Sequence, residues 1–252
     1  MAVTSEPLEP LSLAAPAPVI PVIVIQRVDD AVALARALVA GGIRVLEVTL
    51  RTPAAVGAIA AIASAVPEAI VGAGTVRSAA DARAAHAAGA RFAVSPGWSP
   101  RVAAACRSLG LALLPGAATA SEVMEAADDG FRFLKFFPAA AAGGTAMLKA
   151  WAAPFADVVF CPTGGIDATT APEYLALANV AGPFRGRVTA PVLLMQADHD
   201  AIFVPVDDSA LFSSSPDVRF TLLRFTGHKI FEHPAAHALA VLDIALWIGE
   251  RF

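Results

Sequence analysis

The sequence predicts an α/β protein, a barrel of βα units, and three observations carry that expectation. Short apolar runs of strand character alternate with alanine-rich segments of helical period, the rhythm of consecutive βα units. Gly, Pro or Thr follows the strand runs at the ends where barrel enzymes build their sites. Hydrophobic residues make up 57% of the chain and charged residues 16%, which suits parallel strands covered by helices on both faces. A doubly wound open sheet is the alternative arrangement of the same alternation.

A Pro/Ala/Glu-rich tail over residues 1–16 precedes the first strand, read at 19–25. Further strands are read at 45–50, 70–76, 92–95, 112–115, 131–137 and 158–162, each a compact apolar run. Helices are read between them at 29–40, 53–65, 79–88, 100–109, 120–127 and 144–152. Most are entered through Asp, Ser, Thr or Pro and several are left through Gly, as helix termini require.

A net charge of −4 with scattered basic residues offers no polybasic stripe for nucleic acid or anionic lipid, so a small-molecule substrate is expected. The apolar run 11–25 is broken by Pro16, Pro18 and Pro21 and is too short to span a bilayer, so neither membrane anchor nor signal peptide is expected. Cys106 and Cys161 have no metal-ligand spacing and no disulfide framework, which points to a reducing cytoplasm and no metal.

Lys135 is one of only three lysines and sits in the apolar run Phe131-Arg132-Phe133-Leu134-Lys135-Phe136-Phe137-Pro138. Desolvation favours the neutral amine of a lysine, the form that attacks a carbonyl. The bland reading is an edge-strand lysine reaching for solvent. Glu47 interrupts a second apolar strand that Arg51 closes; it is either a general acid/base or the partner of Arg51 or Arg44 in a structural ion pair. Strand ends at Gly72-Ala73-Gly74-Thr75, Ser95-Pro96-Gly97, Leu114-Pro115-Gly116 and Thr163-Gly164-Gly165 let backbone approach a ligand, and successive amides there can hold an anion.

Taken in order, Pro21-Val22-Ile23-Val24, Leu46-Glu47-Val48-Thr49-Leu50-Arg51-Thr52, Gly72-Ala73-Gly74-Thr75-Val76, Ser95-Pro96-Gly97, Leu114-Pro115-Gly116, Lys135-Phe136-Phe137-Pro138-Ala139 and Phe160-Cys161-Pro162-Thr163-Gly164-Gly165-Ile166 resemble the 2-keto-3-deoxy-6-phosphogluconate (KDPG) / 4-hydroxy-2-oxoglutarate (KHG) aldolase family over about residues 18–180. The resemblance implies a class I aldolase on a (β/α)8 TIM-type barrel, a homotrimer without metal or other cofactor, that releases pyruvate from a keto-acid. It implies Lys135 as the Schiff-base lysine, Glu47 as the proton-transfer carboxylate and Arg51 as the carboxylate-binding arginine. It places Thr75, Pro96 and Phe137 around the substrate, and Thr163, Gly164 and Gly165 on its keto-acid and phosphate side.

The resemblance fades after residue 180, where the family's eighth strand and its Gly-Gly-Ser type turn are expected and Ala181-Gly182-Pro183-Phe184-Arg185 stands instead. The chain therefore reads as an aldolase-like barrel over 17–184 followed by a segment, 185–252, that resembles the end of an α/β-hydrolase and replaces the eighth βα unit. Asp200 and His228 match the acid and base of that fold's triad, but no G-x-S-x-G nucleophile turn is present. His233 and His237 are spaced as a metal pair without a third ligand and read as a solvated helix face. If residues 191–197 supply the eighth strand, Asp198 and Asp200 follow it beside the phosphate pocket; if not, an open seam is left. The rival readings are a catalytically impaired barrel with a structural or interaction role, and a hydrolase-related protein.

Overall fold

In the computed structural model, residues 19–167, 170–178 and 193–196 are described. Seven βα units follow one another: β1 (Val19–Ile23), α1 (Val28–Ala40), β2 (Val45–Thr49), α2 (Ala55–Ala65), β3 (Ile70–Gly74), α3 (Ala79–Ala87), β4 (Phe92–Val94), α4 (Pro100–Leu109), β5 (Ala112–Leu114) with its continuation β6 (Gly116–Ala117), α5 (Ala120–Asp128), β7 (Phe133–Phe136), α6 (Gly144–Trp151), β8 (Val159–Pro162) and α7 (Ala171–Ala178). A last strand, β9 (Leu193–Gln196), closes the described chain.

Every pairing is parallel, and apart from the pairing of β1 with the last strand, neighbours in space are neighbours in sequence: β5-β4-β3-β2-β1-β9 in one sheet and β6-β7-β8 in the other. That sequential order is the order of a barrel wall and differs from the reversed order of a doubly wound sheet. The fifth predicted strand is corrected here. It is read as one run ending at Pro115, yet residues 112–114 pair with β4 while Gly116 and Ala117 pair with β7. Pro115 has no N–H to give to a ladder, but its carbonyl accepts from Lys135 N at 2.8 Å, so the chain changes partner at the proline.

Strand alternation sorts the side chains into two environments. Ile20, Val22, Val45, Phe92, Val94, Ala112, Leu114, Phe133 and Cys161 are alternate strand residues that pack on one another as the interior of the wall. The intervening residues Leu46, Val48, Val71, Ala73, Ala93 and Leu113 instead join Ala31, Ala58, Ile59, Ile62 and Val102 of the surrounding helices. On the β7–β8 side the outer layer is aromatic, with Trp151 centroid distances of 5.3 Å to Phe136 and 5.3 Å to Phe160.

Local sequence sets the helix starts. Ser78 and Ser99 accept from Asp81 N and Val102 N, Pro100 follows Ser99, and Thr119 with Glu122 forms a reciprocal capping box. Gly110 ends α4 in the left-handed conformation at φ 64°. Differences from the predicted bounds are confined to ends: the strand read at 131–137 is ordered as a ladder only over Phe133–Phe136, and the helix read from Pro53 begins at Ala55.

β9 runs parallel to β1, with Ile20 opposite Leu194 and Val22 opposite Gln196. The tail 1–16 and the residues Asp198, Asp200, His228, His233 and His237 of the hydrolase-like segment lie outside the described residues. Among the described residues no helix is long and apolar enough to cross a membrane.

Candidate active site

Lys135 is the third residue of β7 and points into the wall interior between Gly116 of β6 and Cys161 of β8, its Cα partners in the two flanking ladders. It is 5% exposed, which removes the edge-strand reading: β7 is an inner strand with neighbours on both sides. Its Nζ lies 3.5 Å from Glu47 Oε1, the one buried ion pair across the wall among the described residues, and 5.2 Å from the centroid of the Phe137 ring.

Glu47, the third residue of β2, is fully buried. Burial pushes its carboxyl above the ordinary carboxylate range, against the opposing pull of Lys135 and the weaker one of Arg51. The two structural ion-pair readings separate here, because Arg44 Nε donates to the Glu68 carbonyl at 3.0 Å, at the other end of the strand. Glu47 Oε2 is buried without a protein hydrogen-bond partner, as is Thr163 Oγ1. Trp98 Nε1 is in the same condition, and unsatisfied polar atoms in a closed interior are costly.

Arg51 follows β2 at the same end of the barrel, and its Nε donates to Thr75 Oγ1 at 3.2 Å. Thr75 holds φ at 59°, a left-handed conformation that a β-branched residue adopts only under constraint. Pro96 packs its carbonyl against Gly116, where an added Cβ would lie 2.5 Å from Pro96 C and O. Thr163 follows β8, and its carbonyl accepts from Ala139 N at 2.7 Å. Gly164 and Gly165 turn at φ 97° and 69°, conformations that favour glycine, and a Cβ on Gly164 would press the Phe137 ring at 3.2 Å. All nine sequence-predicted residues thus stand at the C-terminal ends of the strands, with Lys135 and Glu47 inside and the others on the rim.

Two residues went unread as individuals. Ser95, buried, donates to the Gly97 carbonyl at 2.9 Å and accepts from Gly116 N at 3.4 Å, which ties the β4 turn to the strand beside Lys135. Gly74, two residues on from Gly72 at the end of β3, lies against the Glu47 side chain. Period-two alternation from Glu47 through its register partner Gly72 is the signal that would have found it. An open groove of about 440 Å³ between the C-terminal ends of α1 and α2, lined by Arg36, Val66 and Glu68, lies at the opposite end of the barrel and takes no part in this geometry.

The family model for KDPG and KHG aldolases matches residues 12–204. The chain belongs to that family. The curated relatives align over the same length as the motif-based resemblance, and the family model extends a little beyond it at both ends. Among curated relatives, the 2-dehydro-3-deoxy-phosphogluconate aldolase of Pseudoalteromonas atlantica is 55% identical over 163 residues, 65% of this chain and 76% of that one. The KHG/KDPG aldolase of Escherichia coli is 53% identical over the same length and shares of each chain.

Among solved structures, a KDPG aldolase from Legionella pneumophila, with pyruvate captured as a covalent carbinolamine intermediate, superposes with a TM-score of 0.72 at 36% identity. The superposition covers 97% of this chain and 98% of that one. The fold is accordingly the TIM-type barrel of class I aldolases, and the chain is an aldehyde-lyase of this family.

Proposed function

We propose that this chain is a Schiff-base aldolase that cleaves KDPG to pyruvate and glyceraldehyde 3-phosphate, or KHG to pyruvate and glyoxylate, with Lys135 as nucleophile and Glu47 as proton carrier. The observation that carries the reading is the 3.5 Å pair of Lys135 Nζ and Glu47 Oε1, buried together at the catalytic end of the strands. The relatives supply the substrate class, by their names and by the covalent pyruvate adduct of the Legionella enzyme.

In this mechanism Nζ adds to the C2 carbonyl of the keto-acid, and the carbinolamine loses water to give a protonated imine. The imine accepts the electrons of the breaking C3–C4 bond while Glu47 takes the C4 hydroxyl proton, directly or through water, and the aldehyde leaves. Glu47 then returns a proton to C3 of the enamine, and hydrolysis of the new imine frees pyruvate and Lys135. A carboxyl whose pKa burial has raised is suited to both halves of that task. Oε2, buried and without a protein partner, is the oxygen left for substrate or water.

Arg51 binds the keto-acid carboxylate, helped by Thr75 and Thr163; Phe137 and Pro96 form the apolar walls; the amides of Gly164 and Gly165 face the phosphate. The reading takes β9 as the eighth strand, supported by its parallel pairing with β1 and by Cα atoms of β8 and β9 that come within 8 Å. It treats 17–184 as the aldolase unit and 185–252 as a replacement of the eighth βα unit. It places a homotrimer in the cytoplasm, where the buried thiols of Cys106 and Cys161 stay reduced. Incubation with pyruvate and borohydride, followed by peptide mapping, tests the reading: a reduced pyruvyl adduct on Lys135 supports it, and unmodified Lys135 in folded protein removes it.

A further inference from the structure

We infer that Gly74 is a positioning residue for Glu47: its bare Cα at the end of β3 supplies the space in which the carboxylate stands when it faces Lys135. The inference rests on the role proposed for Glu47 above.

The register pairs Glu47 with Gly72 and Thr49 with Gly74, so the Glu47 side chain leans along the wall by two residues to reach the site. An added Cβ on Gly74 would overlap Glu47 Oε1 and fall 2.7 Å from Cγ and 2.8 Å from Cδ. That Oε1 is the oxygen 3.5 Å from Lys135 Nζ. A fully buried carboxylate has no solvent to swing into, so a methyl group at this position moves the acid group off its partner.

Backbone geometry does not demand glycine here. Gly74 is a strand residue whose φ lies outside the left-handed region, with its carbonyl accepting from Leu50 N at 2.9 Å, and the three atoms nearest an added Cβ all belong to the Glu47 side chain. Gly72, its neighbour in the same motif, has a different role: there a Cβ would overlap the Phe92 ring, part of the apolar interior. The two glycines of Gly72-Ala73-Gly74-Thr75 therefore separate into one that seats a core ring and one that seats the acid.

A double-mutant cycle on the full chain, Gly74→Ala and Glu47→Asp singly and together, separates positioning from general packing. Two readouts are taken: borohydride trapping of pyruvate on Lys135, and exchange of the pyruvate methyl protons for solvent deuterium, which needs proton transfer at C3. The expectation for Gly74→Ala is retained trapping with exchange slowed on the order of 10²-fold. In the Glu47→Asp background, whose shorter side chain vacates the space, adding Gly74→Ala changes exchange by no more than about twofold.

Wild-type exchange in Gly74→Ala, the same fractional loss in both backgrounds, or loss of trapping together with exchange overturns the inference and leaves the Lys135 reading standing. Absence of trapping in the wild-type chain overturns that reading first and this inference with it. If Gly74→Ala alone does not fold, the double variant is expected to fold, and its failure overturns the inference as well.

Discussion

Lys135 Nζ and Glu47 Oε1, 88 residues apart in sequence, stand 3.5 Å apart inside the barrel with both side chains removed from water. The separation is at the long limit for a charge-assisted hydrogen bond, so the two groups face each other without a short bond between them. Burying two charges is expensive, and a buried pair is weak as a source of stability but sensitive to loss of either partner.

Lys135→Met leaves Glu47 buried without its cation. Because Lys135 holds the Glu47 carboxyl down against burial, its removal drives that carboxyl further up. The variant is expected to lose up to about 3 kcal/mol near neutral pH and to recover part of it in acid, where Glu47 is protonated. Chemical denaturation of both proteins at two pH values checks this; a loss independent of pH contradicts it.

Glu47→Gln isolates the carboxylate. Its pKa is raised in the folded state, with burial as the largest cause, so the stability associated with its neutral form is fully present below the ordinary carboxylate range and is lost as pH rises through its own value. Glutamine stays neutral, so this pH dependence is absent from the variant, which also leaves Lys135 without its carboxylate. Melting curves between about pH 4 and pH 8 should show a fall with rising pH in wild type that the variant lacks.

Thr75 holds a left-handed φ of 59° and accepts from Arg51 Nε. Strain of this kind costs about 1–3 kcal/mol, so Thr75→Gly is expected to stabilise the fold by about 1 kcal/mol after the entropy cost of glycine. Loss of the hydroxyl removes one of the contacts that orient Arg51, and KM for the keto-acid rises. Paired thermal melts and steady-state kinetics decide it, and a fall in both stability and affinity contradicts the strain argument.

In the sequence Asp198 and Asp200 come two and four residues after β9, the strand taken above as the eighth. Two carboxylates repel a phosphate dianion, so the chain is expected to favour KHG over KDPG in kcat/KM. The Asp198→Asn, Asp200→Asn double variant should raise efficiency on KDPG and leave KHG nearly unchanged; an equal effect on both substrates contradicts the charge argument.

Much of this architecture is written locally. Lys135 and Glu47 are legible because a charge in an apolar strand is an anomaly whatever surrounds it, and the strand ends at Thr75, Pro96 and Gly164 carry their own turn chemistry. The break at Pro115 was not legible, since a proline ending a strand and a proline at which a strand changes partners look alike until the neighbours are known. The sequence reads the turn that holds Gly74 as close approach of backbone to a ligand, yet Gly74 is a matter of space set by residue 47, a property of register that a single strand does not contain. Ser95 likewise acquires its role only when Gly97 and Gly116 are brought to it.

Borohydride reduction of the full chain with pyruvate, read by intact mass and peptide mapping, tests most directly whether the buried pair is a working aldolase site, since imine formation needs amine, pocket and closed barrel together. One reduced pyruvyl adduct on Lys135, absent from Lys135→Met, is the expected result. Folded protein that acquires no adduct, or acquires it equally on Lys149, would contradict Lys135 as the nucleophile.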